Sequence, residues 1–200
     1  MPIRHNGRMP ILVAGLLLFL GPHSVRIVAD DWRAARLASM GEKRWKGLYS
    51  LVSIAGFVLL VWGYGIAQRD PVVLWAAPVW ARHLAAALML LALVLLAASQ
   101  VPRNHVKAAL HHPMLLSVKV WAFAHLLANN TLADVVLFGS FLLWAVLDFR
   151  SARQRDRAQG TAYPPGTAKG TAITIVAGVA LWALFAFWAH GLLFGVRPMG

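Results

Sequence analysis

Cysteine is absent and acid is scarce: the chain has no Cys and only 7 Asp and Glu among 200 residues. The first absence excludes disulfides, thiolate-held metals, iron–sulfur clusters and cysteine nucleophiles. The second belongs to a general poverty of charge. Charged residues make up 13% of the chain, whereas about a quarter is usual in a soluble domain. So little charge cannot cover the surface of a soluble protein of this size. Also missing are a Walker motif, a glycine-rich dinucleotide fingerprint, a His-Glu-x-x-His pair and a Ser-His-Asp arrangement. Ordinary soluble enzyme chemistry is therefore not visible. No internal repeat or low-complexity tract stands out.

What the chain has in abundance is apolar surface. Hydrophobic residues are 60% of the total and the mean hydropathy is +0.64, so the natural solvent for much of it is lipid. A membrane-crossing helix needs about 20 mostly apolar residues. Such runs occupy Pro10–Ala29, Leu48–Ala67, Val79–Ala98 and Ala172–Phe194. A further stretch, Met114–Phe149, is too long for one span and is broken by Asn129, Asn130 and Thr131. It reads as a short helix, a tight turn and a second helix. The fold expected is an all-α, polytopic transmembrane helical bundle of about six spans, with five as the alternative. Residues 1–9 read as a tail, and Met9 as an alternative start.

The net charge of +12 would suggest nucleic acid in a soluble protein. Here the cations cluster between apolar runs, which favours anionic lipid as the partner and argues against nucleic acid. Residues 30–47, 100–112 and the Gly- and Pro-containing loop 150–170 hold twelve Lys and Arg. With six spans these segments share one side. The opposite side carries five: Arg4, Arg8, Arg69, Arg82 and Arg197. The positive-inside rule places the three basic segments in the cytoplasm and both termini outside. Trp62, Tyr64, Trp75, Trp80 and Trp188 would belt the outer ends of the spans. Trp32, Trp45, Tyr49 and Trp144 would belt the inner ends.

Polar groups at membrane depth are costly and need a partner or a task. His23 lies in Gly21-Pro22-His23-Ser24 of the first span, with Arg26 on its face one turn on. His125 lies in the short fourth span, with Trp121 and Asn129 four residues to either side. Two histidines on different helices are the arrangement that bis-histidine haem ligation requires, and neutral imidazole is a good ligand for the iron. A basic residue such as Arg26, Arg103 or Lys107 would then meet a haem carboxylate. Each histidine also has a plainer reading, as a packed residue hydrogen-bonded to its surroundings. His83 and His190, near the outer ends of their spans, form a second candidate pair or are interfacial. His111-His112-Pro113 has no carboxylate at ligand spacing, which argues against a simple metal site. Asp134 reads as a cap of the fifth span or a proton-relay group. Asp30 and Asp31 are expected to pair with Arg26, Arg33 or lysine. His5 belongs to the tail.

Taken in order, Gly21-Pro22-His23-Ser24, Met40-Gly41-Glu42-Lys43-Arg44, Trp80-Ala81-Arg82-His83, His112-Pro113 and Trp121 through Asn129 resemble the NnrU family over residues 10–195. This bacterial membrane family includes relatives of plant 15-cis-zeta-carotene isomerase. The resemblance implies haem b, with His23 and His125 matching the two axial histidines. The plant enzymes carry a Cys three residues before the second ligand. Here that position is Ala122, so cysteine-dependent ligand exchange is excluded. The implied activity is cis–trans isomerisation of a hydrophobic polyene. The alternative is a non-enzymatic haem or redox accessory protein linked to nitrite and nitric oxide reduction. His112-Pro113-Met114 is also faintly similar to the Arg-His-Pro motif of isoprenyl methyltransferases, but His111 stands in the place of the Arg.

Overall fold

The computed structural model describes residues 9–199, and among these it is almost wholly helical. The helices are α1 (Met9–Val28), α2 (Asp30–Met40), α3 (Glu42–Ala67), α4 (Val79–Gln100), α5 (His105–Leu110), α6 (Pro113–Ala128), α7 (Leu132–Gln159) and α8 (Ala168–Phe194). One π-helical turn, Phe185–Ala189, lies within α8.

Five helices (α1, α3, α4, α7 and α8) are long and apolar enough to cross a membrane. The sixth expected span, α6, is apolar but has only 16 residues. Large apolar side chains on the long helices face outward, with Leu17 70% and Val176 68% exposed. In water that exposure would be untenable over so many residues; in lipid it is the expected solvent-facing surface. The protein is therefore a multi-pass, all-helical membrane protein.

Helix ends follow local chemistry. The break at Asn129–Asn130 separates α6 from α7 as the sequence predicts. Pro113 starts α6, where its missing N–H costs nothing. The basic stretch read as a loop over 150–170 is instead helical as far as Gln159. Arg150, Arg153, Arg155 and Arg157 are good helix formers near a C-terminus, where cations are favoured. The helix stops only at Gly160, whose φ of 60° closes it. Thr161 N–H then donates to the Asp156 carbonyl, the 6→1 bond of a Schellman end. Residues 30–47 are likewise mostly helical, with a turn at Gly41. Met9, read as part of the tail, is the first residue of α1, while His5, Arg4 and Arg8 lie outside the described residues.

The chain forms two compact units. The first comprises residues up to Trp75 together with Asn130–Trp144. In it α1 and α3 run antiparallel in close contact. A Cβ on Gly15 would overlap the Leu60 backbone, one on Gly56 the Phe19 backbone, and one on Gly63 the Leu12 backbone. Between helices in lipid the hydrophobic effect is weak, so such close approach of backbones is what gains dispersion energy.

The second unit comprises Ala76–Asn129 and Ala145–Gly200. In it α4 lies against α6 and α8. Its buried Ala81, Ala85, Ala92 and Ala98 allow close packing. Two cross-helix bonds lock it: Ser117 Oγ donates to the Ala92 carbonyl at 2.7 Å, and Trp182 Nε1 donates to the Ala86 carbonyl at 2.9 Å.

Candidate functional site

His23 sits on α1, in the first unit. Its Nδ1 lies 2.6 Å from the carbonyl oxygen of Phe19, one turn back. A carbonyl only accepts, so Nδ1 carries the proton and the lone pair of the neutral ring is on Nε2. The Phe19 ring stacks on the imidazole, with centroids 4.5 Å apart.

Two other helices complete the surroundings. From α3, Tyr49 approaches His23 at 5.2 Å and Phe57 approaches Phe19 at 6.0 Å. From α7, Trp144 meets the His23 ring edge-on at 6.0 Å and Phe141 meets Phe19 at 5.7 Å. Tyr49 and Trp144 therefore do more than mark the inner ends of their spans: they line the wall around His23.

Ser53 lies one turn after Tyr49 and one turn before Phe57 on the same stripe of α3. Its hydroxyl and the Trp144 indole N–H are buried without a hydrogen-bond partner among the described residues. An unmet buried donor costs about 1–3 kcal/mol, so one at Trp144, edge-on to His23, and another at Ser53, between Tyr49 and Phe57 on α3, mark this wall as more than packing. Arg26, one turn on, lies 3.9 Å from Asp30, which also meets Arg33 at 3.5 Å. These are the pairings expected for Asp30.

His125 sits on α6, in the second unit, and repeats the arrangement. Its Nδ1 donates to the Trp121 carbonyl at 2.9 Å, which puts its lone pair on Nε2 as well. The Trp121 ring lies 5.2 Å from the imidazole. Asn129 Nδ2 donates to the His125 carbonyl and ends the helix. Ala122, three residues before His125, is fully buried.

The secondary candidates separate. His83 is exposed on α4. His190, just past the π-helical turn, donates from Nδ1 to the Val196 carbonyl at 2.7 Å and so holds the chain beyond Gly195. His105 pairs with Thr171 at 2.7 Å. Neither His105 nor His190 takes a histidine as its hydrogen-bond partner.

His111 and His112 acquire the carboxylate that their sequence neighbourhood lacks. It is Asp156, from the last turns of α7. His112 Nε2 donates to Asp156 Oδ2 at 2.8 Å and the Tyr163 hydroxyl donates to the same oxygen at 2.9 Å. Arg153 donates to His111 Nδ1, and His111 stacks on Tyr163 at 4.1 Å. Burial, followed by the Asp156 hydrogen bond and charge, raises the Tyr163 phenol above the ordinary tyrosine range. His111 has a φ of 67°, and His112 N–H bonds to the Leu110 carbonyl across it at 2.8 Å. That is the strained γ-turn, costing on the order of 1–3 kcal/mol. Even so, among the described residues no group of three or more metal-binding side chains is placed to hold an ion. Lys119 does not end at a carboxylate; its Nζ lies over the Phe149 ring, 3.8 Å from the centroid.

Asp134 is 1% exposed. The N-cap of α7 is in fact Thr131, with Asp134 three residues on as its reciprocal partner. Asp134 Oδ2 accepts from Thr131 N–H at 2.9 Å, and Thr131 Oγ1 accepts from Asp134 N–H at 3.2 Å. Asp134 Oδ1 also accepts from Tyr64 at 2.6 Å and from Gln68 at 2.8 Å.

Compared with known proteins, residues 11–198 match the family model described as NnrU protein. No curated protein and no solved structure matches the chain.

Proposed function

The chain belongs to the NnrU family, and on that footing we propose that it is a haem b-binding membrane protein in which the His23 and His125 imidazoles would hold the iron. The observation that carries this reading is the shared local geometry of the two histidines. Each anchors Nδ1 on the carbonyl four residues back and lies against an aromatic ring there. An imidazole held through Nδ1 presents Nε2 to iron in a fixed orientation and with raised basicity. The unmet donors Ser53 and Trp144 beside His23 also suit a wall built against a ligand. Arg26 supplies a cation one turn away for a haem carboxylate. In this reading the basic segments face the cytoplasm of a bacterial inner membrane.

Two activities fit such a centre. One is cis–trans isomerisation of a hydrophobic polyene. A haem iron with an exchangeable ligand supplies electron density to a bound alkene and eases rotation about its double bond. The protein's part is to orient the imidazoles and hold the polyene on apolar helix faces. The second is electron transfer in support of nitrite and nitric oxide reduction. The buried Ala122 favours this reading, because no cysteine is there to exchange for a histidine, and a centre held by two histidines would suit electron transfer.

The test is the absorption spectrum of the detergent-purified full chain, oxidised and reduced, after expression with ample haem. A Soret band with reduced bands typical of bis-histidine haem is expected. Its absence removes both activities. Turnover of zeta-carotene, set against a defect in denitrification on gene loss, separates them.

A further inference from the structure

The aromatic wall around His23 contains two polar hydrogens with nowhere to go. Ser53 Oγ and Trp144 Nε1 are both shut off from the surface, and neither meets an acceptor among the described residues. Their neighbours place them at one level. Tyr49 and Phe57, a turn to either side of Ser53 on α3, touch His23 and Phe19 respectively. Trp144 touches His23 from α7. Phe57 and Phe141 add ring surface around Phe19 on the same wall. The nearby Phe19 and Leu20 carbonyls already accept from His23 Nδ1–H and the Ser24 hydroxyl.

We propose that Ser53 and Trp144 form a two-donor subsite beside His23 for an oxygen acceptor, a carboxylate or a carbonyl, on the rim of a flat apolar ligand. The aromatic faces take the body of the ligand, and the O–H and N–H hold one of its oxygens. The chemistry is common to a haem carboxylate and to the ring carbonyl of a membrane quinone. The subsite shares His23 with the haem reading but does not require iron.

The two sources are separated by titrating the detergent-purified full chain with haemin, followed by the Soret band, and with a short-chain benzoquinone, followed by calorimetry. The variants are Ser53→Ala and Trp144→Phe, the latter keeping a ring and losing the N–H. Exposed Ser50 and Trp62 provide the controls Ser50→Ala and Trp62→Phe.

Each subsite variant is expected to weaken the ligand that binds by about five- to tenfold, the worth of one hydrogen bond. The controls leave binding unchanged. A second readout excludes a structural role. Removing an unmet donor leaves the thermal midpoint of the ligand-free chain unchanged or raised, while the rise that ligand produces shrinks. Quinone binding sensitive to both variants, with no haemin binding, sinks the haem reading and keeps the subsite. If neither probe binds, or if whichever binds does so equally well to both variants and the wild type, the subsite is refuted.

Discussion

His112 Nε2 donates to Asp156 Oδ2 at 2.8 Å across forty-four residues of chain. This contact joins the turn that launches α6 to the C-terminal end of α7. Asp156 also holds Tyr163, so one carboxylate oxygen organises a strained turn, a helix end and the following loop. Asp156→Ala should leave the His112 and Tyr163 donors without their acceptor. The cluster is partly exposed, with side-chain accessibilities of 22% for His112 and 15% for Asp156, which limits the loss to about 1–2 kcal/mol. Thermal unfolding in detergent measures it. An unchanged midpoint would mean the cluster carries no stability.

The same carboxylate governs the Tyr163 phenol, which burial and Asp156 hold in its neutral form. A group whose folded pKa is raised stabilises fully below its unfolded value, about 10 for tyrosine, and loses that contribution as pH rises through the folded value. Ultraviolet difference titration of the wild type against Tyr163→Phe isolates this phenol. Asp156→Asn should move its ionisation to lower pH. A midpoint unmoved by that change would assign the whole shift to burial.

Replacement of the contact glycines should be costly in proportion to what a Cβ meets. Gly15→Ala and Gly56→Ala push a methyl into the backbone of the facing helix, and each should lose about 1–3 kcal/mol or prevent folding. Gly21→Ala and Gly65→Ala meet nothing within 4 Å and should be neutral or stabilising by up to about 1 kcal/mol. Detergent melting curves of the four variants would contradict the packing described if the two pairs behaved alike.

Asp134 concentrates four donor contacts on one buried carboxylate. Asp134→Ala should cost about 3 kcal/mol or more, since it orphans several buried donors at once. Tyr64→Phe removes one of them and should cost about 1 kcal/mol. Equal losses for the two variants would show that Tyr64 alone carries the contact.

For the proposed cofactor, His23→Ala and His125→Ala should each convert a six-coordinate spectrum to a high-spin one or abolish it. His83→Ala, at an exposed position, should leave it as in the wild type. Spectra indifferent to both core substitutions would rule out the axial assignment.

Much of the architecture is legible along the chain because the bilayer imposes a length. The apolar runs mark α1, α4 and α8 to within four residues and the end of α3, which begins six residues before its run, and Asn129–Thr131 marks the break between α6 and α7. The stretch 150–159 reads as loop because its segment contains Gly and Pro, but these begin only at Gly160, and the arginines before it are at ease in a helix. At the site, His23 and His125 stand out because imidazole at membrane depth is rare. The i−4 carbonyls that fix their tautomers follow from helix geometry, but nothing local singles them out. Asp156 could not be assigned to His112 by spacing, since forty-four residues separate them. Ser53 and Trp144 look ordinary in sequence, a small residue within a span and an interfacial aromatic. Their interest lies wholly in having no acceptor.

Composition and the lengths of the apolar runs determined that this protein lives in lipid as a helical, multi-pass chain, and that cysteine chemistry is closed to it. Those conclusions depend only on solvation summed along each run and on which atoms are present. Tertiary structure decided which buried donors find acceptors, which carboxylate reaches which histidine, and where helix backbones touch. Such outcomes turn on ångström-scale meetings of residues distant in the chain, and no local pattern of residues encodes a distance between helices.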